Sequence, residues 1–109
     1  MKLKKIISLI PALFMFFGIA WADTIKIGFN VPLTGFAAAD GESALNGAKL
    51  AVNQANASGG INGKQIELVV YDDQASPKEA VPIANRLIEK DGVKVAVSGS
   101  YSGSTRAAA

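Results

Sequence analysis

The chain has 109 residues, of which 11 are basic and 9 acidic, and it contains no cysteine and no histidine. The lack of cysteine excludes disulfides, thiolate metal sites and a lipid-modified N-terminal cysteine, and the lack of both residues excludes Ser-His and Cys-His nucleophile pairs. A chain of this length forms one small domain at most.

The first 22 residues have the pattern of a secretory signal peptide. Lys2, Lys4 and Lys5 precede a mostly apolar run over residues 6–20, and Ala20-Trp21-Ala22 fits a signal peptidase site. We predict cleavage after Ala22; a retained membrane anchor is the alternative, although the run is short of the ~20 residues that a membrane span needs. The remaining 8 basic and 9 acidic residues have a net charge of −1, which favours neither nucleic acid nor an anionic membrane surface as partner.

After the leader, strand and helix patterns alternate. Alternating or continuous apolar residues predict strands over residues 24–31, 66–71 and 93–97. Helical spacing predicts helices over residues 42–57 and from Pro77 to about Asp91, with a further helix beginning at Thr105. We expect Leu45, Ala48, Val52 and Ala55 to face inward on the first helix, and Ala80, Ile83, Ala84, Leu87 and Ile88 on the second.

The predicted elements are punctuated by turn and capping residues. Gly59-Gly60 predicts the end of the first helix, and Asn62-Gly63 predicts a tight turn. Ser76 to Glu79 has the pattern of a capping box, while Pro82 should kink the second helix. We expect the strand over residues 66–71 to be buried on both faces, because it is apolar enough despite Glu67.

The β-α-β-α-β-(α) order predicts an α/β fold, a parallel sheet of strand order 2-1-3 with flanking helices. In such a sheet a crevice opens at the C-terminal ends of the first and third strands. The loops that bound it are residues 32–41 and 98–104. This topology places a candidate ligand site between the two loops.

The stretch from Ser98 to Thr105 is rich in glycine and serine and connects a strand to a helix start. Unpaired backbone N–H groups and the positive end of a helix dipole attract anions at such a place, and hydroxyls add further donors. We interpret it as a site for the carboxylate of a small molecule. The alternative is an ordinary strand-to-helix turn with a serine N-cap.

Other motifs give weaker signals. We expect Asp72 and Asp73 to lie in a solvated loop or to cap a helix, because no calcium-loop spacing follows them; a metal site is the alternative. Tyr101 could stack on a ligand or cover the sheet edge. No Gly-x-Gly-x-x-Gly follows the first strand, and the glycines near Lys64 do not match a phosphate-binding loop, so no cofactor is predicted.

Five motifs, taken together, resemble a known family. They are Ile25-Lys26-Ile27-Gly28, Pro32-Leu33-Thr34-Gly35, Asn46 to Val52, Gly59 to Gly63 and Tyr71-Asp72-Asp73. The chain resembles the N-terminal lobe of the leucine/isoleucine/valine-binding proteins, type I periplasmic binding proteins that serve branched-chain amino acid ABC transporters. Because the sequence stops in a predicted first helical turn, we expect it to be a fragment, with residues 23–109 an incomplete N-terminal lobe.

The resemblance implies a periplasmic receptor with two lobes and a hinge. The resemblance further implies that the protein binds without catalysing a reaction and that, when full length, it is a monomer that delivers a small-molecule ligand to a membrane permease. The position matching the residue that binds the ligand's α-carboxylate is Ser102, with Gly103 and Ser104 adding backbone N–H groups and Tyr101 adjoining them. A ligand-sensing domain of the same fold, or an exported enzyme whose base lies elsewhere, are the competing functions.

Asp40 departs from the family pattern, since many relatives have a tyrosine there, near the ligand side chain. A carboxylate beside an apolar side chain would be poorly solvated and unpaired. We therefore hypothesise a polar, cationic, amide or urea-like ligand more readily than leucine.

Overall fold

The computed structural model describes residues 24–109 as strands and helices in alternation. The elements in chain order are β1 Ile25–Val31, α1 Ala38–Ala57, β2 Ile66–Asp72, α2 Pro77–Glu89, β3 Val95–Ser98 and α3 Ser102–Ala108. The predicted signal peptide and its cleavage site after Ala22 lie outside the described residues. Within the described range, no helix has the length and apolar character needed to cross a membrane.

The three strands form one parallel sheet of order β2-β1-β3, which confirms the predicted topology. The central strand β1 is covered on both faces: Phe29 and Val31 are buried, and a side chain at Gly28 would meet Leu87 of α2 at 2.9 Å. Strand β2 has a single neighbour in the described sheet. Its residues are mostly half-buried, so the prediction of burial on both faces is wrong because β2 is an edge strand.

The two long helices present their predicted faces with one exception. The four apolar residues expected to face inward on α1 are all half-buried, and the core beneath α2 contains Ile83, Leu87 and Val93. Ile88 is exposed instead of buried. Helix α2 continues through Pro82 as one helix, and Ser76 is its N-cap but makes no side-chain hydrogen bond, so the predicted capping box is absent.

The turns follow the sequence closely. Gly59 and Gly60 have positive φ angles of 98° and 74° just after α1, as a glycine helix end requires. Asn62 and Gly63 also have positive φ, and Ile61 bridges to Lys64 across them. This is the geometry expected of an Asn-Gly hairpin turn.

Two helices begin earlier than predicted, and both changes affect the candidate site. Helix α1 begins at Ala38, not Glu42, because the alanines that were assigned to a loop are strong helix formers. Helix α3 begins at Ser102, not Thr105, since the Thr105 N–H already donates to the Tyr101 carbonyl at 3.0 Å. Asp40 and Ser102 therefore belong to first helical turns.

Candidate ligand-binding site

The candidate site lies where β1 and β3 end side by side. Asn30 is opposite Ser98 in the parallel register, and Gly99 N–H donates to the Asn30 carbonyl at 2.8 Å. Beyond this point the chain after β1 leads to α1 and the chain after β3 leads to α3. The two segments bound the crevice that the strand order predicts.

Side chains from the two segments meet across the crevice. The Tyr101 hydroxyl donates to the Asp40 carboxylate at 2.8 Å, and the Phe36 ring meets the Tyr101 ring edge to face at 5.7 Å between centroids. The hydrogen bond to Asp40 raises the pKa of the Tyr101 phenol, with desolvation and the carboxylate charge acting in the same direction. Asp40 therefore has a donor, so the premise of an unpaired carboxylate behind the polar-ligand hypothesis is wrong.

The first turn of α3 offers donors to a ligand. Ser102 and Gly103 are exposed, and the N–H groups of residues 102–104 have no hydrogen-bond acceptor within the described part of the chain. These N–H groups precede the first helical acceptor, as in any helix N-terminus. The Ser104 side chain is buried and its hydroxyl has no partner among the described residues, so only its backbone can face the crevice.

Asp72 holds the loop after β1 in place. Its carboxylate accepts hydrogen bonds from Leu33 N–H at 2.8 Å, from the Thr34 hydroxyl and from Gln74 N–H at 2.9 Å. Desolvation raises the pKa of Asp72, but the hydrogen bonds from Thr34, Leu33 and Gln74 outweigh it and leave the pKa below its ordinary value. Asp72 thus connects the end of β2 to the loop over residues 32–35 by hydrogen bonds.

Asp73 is fully buried, unlike the solvated residue that was one of the alternatives. It accepts hydrogen bonds from the Asn30 side chain at 2.9 Å and from Ala75 N–H at 2.9 Å. Within residues 24–109, no group of three or more His, Cys, Asp or Glu side chains could hold a metal ion. The Asp72-Asp73 pair therefore stabilises the loops that follow β1 and β2 by hydrogen bonds. One of its partners, Asn30, was not predicted from the sequence.

Ser98 and Thr105 lie in the stretch predicted to bind a carboxylate, but their hydroxyls instead connect Asn30 to α3 through contacts of 3.0 and 2.8 Å. A usable signal was present at Asn30: it is an amide between the apolar residues Phe29 and Val31, and such a group needs hydrogen-bond partners when the strand is buried. No local pattern indicated which partners these would be.

Comparison with known proteins gives a consistent result. Residues 24–109 match a family described as periplasmic binding protein. The chain is 47% identical over 87 residues to the "Leucine-, isoleucine-, valine-, threonine-, and alanine-binding protein" of Pseudomonas aeruginosa, covering 80% of this chain and 23% of that protein. The chain thus spans about a quarter of the length of the curated relatives it matches.

Solved structures show the same fold with different ligands. A branched-chain amino acid transporter substrate-binding protein from Streptococcus pneumoniae, in complex with isoleucine, is similar with a TM-score of 0.76 and 44% identity over 79% of this chain and 25% of that chain. A solute-binding protein from R. palustris, in complex with benzoate, has a TM-score of 0.70 and 28% identity over 79% of this chain and 23% of that chain. Both ligands carry a carboxylate, whereas the groups attached to it differ.

Proposed function

The chain belongs to the periplasmic binding protein family, and we propose that it is part of an exported receptor that binds an amino acid for an ABC importer. The family, and relatives named as binding proteins and not as enzymes, support a binding function without chemistry. We further propose that residues 1–22 direct export, that residues 23–109 form part of the N-terminal lobe, and that a membrane permease receives the ligand from the periplasm.

The observation that carries the proposal is a group of hydrogen-bond donors without acceptors in the described residues, at the crevice where β1 and β3 end. Ser102 begins α3 with an exposed side chain, and the N–H groups of residues 102–104 have no acceptor in the described residues. A carboxylate seated there would accept charge-assisted hydrogen bonds from the Ser102 hydroxyl and from these N–H groups. Ser102, Gly103 and the backbone of Ser104 are therefore our proposed carboxylate site.

The neighbouring wall favours a ligand with an apolar side chain. Phe36 is 83% exposed next to the crevice, although it packs edge to face on Tyr101. The Tyr101 hydroxyl and the Asp40 carboxylate are hydrogen-bonded to each other. They therefore offer a ligand fewer hydrogen-bonding positions than an unpaired carboxylate would. We propose an amino acid of the branched-chain class over the polar, amide or urea-like ligands hypothesised from Asp40 alone.

A ligand screen on the full-length protein tests the proposal. Ligands that bind only the folded state raise the melting temperature by mass action. We expect a rise with leucine, isoleucine or valine, confirmed by calorimetric titration, and no rise with urea, arginine or glutamine. A rise with benzoate alone would keep the carboxylate site but reject an amino acid as ligand, and no rise with any of these compounds would contradict the proposed function.

A further inference from the structure

A chain of polar side chains crosses the C-terminal edge of all three strands and ends at the start of α3. The Asn30 amide nitrogen lies 2.9 Å from Asp73 Oδ2 on one side and 3.0 Å from Ser98 Oγ on the other. Ser98 Oγ lies 2.8 Å from Thr105 Oγ1, which in turn lies 2.9 Å from the Tyr101 carbonyl oxygen. Asn30 and Asp73, at one end of it, are buried.

The two ends of this chain fix the direction of every hydrogen bond in it. An amide nitrogen can only donate and a carbonyl oxygen can only accept, so Asn30 must donate to Asp73 and Thr105 must donate to Tyr101. Thr105 has then used its one hydroxyl proton, and Ser98 must donate to it. Ser98 correspondingly accepts the second N–H of Asn30. An amide nitrogen at position 30 is the group that satisfies both neighbours at once.

We propose that Asn30 is a positioning residue that sets the direction of this chain and thereby holds the first turn of α3. Tyr101, at the receiving end, is the N-cap of α3 and carries the hydroxyl bound to Asp40. The turn that follows contains residues 102–104, so the chain also maintains ligand affinity, an effect that rests on the proposed function. Asn30 itself is not proposed to touch the ligand.

Exchanging the two buried residues separates this role from simple stabilisation. In the double variant Asn30→Asp/Asp73→Asn, the amide introduced at position 73 can still accept from Ala75 N–H and donate to the carboxylate introduced at position 30, so the buried pair is kept. That carboxylate has no proton to give, and Ser98 must now donate to it instead of to Thr105. Thr105 then satisfies either Ser98 or the Tyr101 carbonyl, but not both.

The measurement is hydrogen–deuterium exchange of peptides covering residues 99–108 in the full-length protein, together with the melting temperature. We expect the double variant to have a melting temperature close to that of the wild type. Hydrogen–deuterium exchange in these peptides should nevertheless be about fivefold faster or more, since one hydrogen bond of the turn is lost. The single variant Asn30→Asp, with two facing carboxylates, should melt much lower. If the double variant has both the melting temperature and the hydrogen–deuterium exchange rates of the wild type, the direction of these hydrogen bonds is unimportant and the proposal is wrong.

Two further variants keep the test decisive if the exchanged pair fails to fold. Ser98→Ala removes the hydroxyl that links the Asn30 side chain to the Thr105 side chain. Unchanged hydrogen–deuterium exchange of residues 99–108 in this variant would overturn the proposal. Asn56→Ala is the control: it removes two hydrogen bonds to Ile66 at the opposite edge of the sheet and should leave this region unaffected. Because exchange is read without a ligand, a failure of ligand binding in the wild type would count against the proposed function and not against this role of Asn30.

Discussion

Ser102 is the exposed first residue of α3, and its hydroxyl is the side-chain donor in the proposed carboxylate site. Replacing it by alanine should weaken binding of the ligand found in the screen by roughly 1–3 kcal/mol, because a hydrogen bond to a charged group is lost. Calorimetric titration of the full-length protein measures the change. Ser58→Ala, an exposed serine at the far end of α1, is the matched control and should bind as the wild type does. An equal affinity in both variants would remove Ser102 from the site.

The contact between Tyr101 and Asp40 gives a prediction about protonation. Because the hydrogen bond to Asp40 raises the pKa of the phenol above its ordinary value near 10, the contact stabilises the folded state below that pH. This contribution is lost as the pH rises through the folded-state pKa. In Asp40→Asn we expect the pKa of Tyr101 to fall, as followed by NMR of the tyrosine rings.

Tyr71 provides the internal reference for that titration. Its pKa is also raised, and the first cause is its hydrogen bond to Asp91, which lies away from the crevice. Asp91→Asn should therefore lower the pKa of Tyr71 and leave Tyr101 unchanged, whereas Asp40→Asn should do the reverse. If Asp40→Asn moved neither tyrosine, the cross-crevice hydrogen bond would not exist in solution.

At the scale of the elements, Gly41 sets how closely α1 approaches the end of β1. A Cβ at this buried position would lie 1.4 Å from the Pro32 carbonyl oxygen, and backbone cannot yield as a flexible side chain can. We expect Gly41→Ala to destabilise the full-length protein by about 1–3 kcal/mol. It should also weaken ligand binding, because a shift of α1 would move Asp40, the hydrogen-bond partner of Tyr101 beside the proposed carboxylate site.

Gly47 is the matched control on the same helix. Apart from adjacent residues and the backbone of α1 itself, no heavy atom of the described residues lies within 4 Å of a Cβ placed there, so Gly47→Ala should raise stability by about 0.5–1 kcal/mol through the better helix propensity of alanine. Urea unfolding of both variants measures the two changes. Midpoints that shift in the same direction would contradict the close approach of α1 to Pro32.

The turns could be predicted because their signals are local, as at Asn62-Gly63, and the strand order could be predicted because strand and helix patterns alternate along the chain. The polar contacts of the site could not, because they join residues far apart in the chain. Asn30 is 43 residues from Asp73 and 68 from Ser98, and Tyr101 is 61 from Asp40. Such pairs are set by strand register and helix packing, and the same tertiary context gave Asp40 the partner that its sequence neighbourhood did not reveal.

At the scale of the whole molecule, the sheet has an apolar side that the described residues leave open. Strand β3 pairs with β1 alone among them, and its Val95 and Val97 are 60% and 51% exposed. A cavity of about 160 Å³ next to this strand is lined by side chains that include Leu87, Val93 and Val95. Since the matched part of this chain covers only 23% of the curated relative, we expect further chain to cover this side in the full-length protein.

Val97→Lys should consequently have opposite effects in two contexts. In residues 23–109 alone, an open strand edge with exposed valines favours self-association, and a lysine there should reduce the mass measured by light scattering. In the full-length protein the same lysine would be buried without a partner and should destabilise by roughly 1–3 kcal/mol. Val81→Lys, on the exposed face of α2, should be nearly neutral there. If Val97→Lys were also neutral in the full-length protein, the open side of β3 would be a solvent-exposed edge and not an internal contact of the lobe.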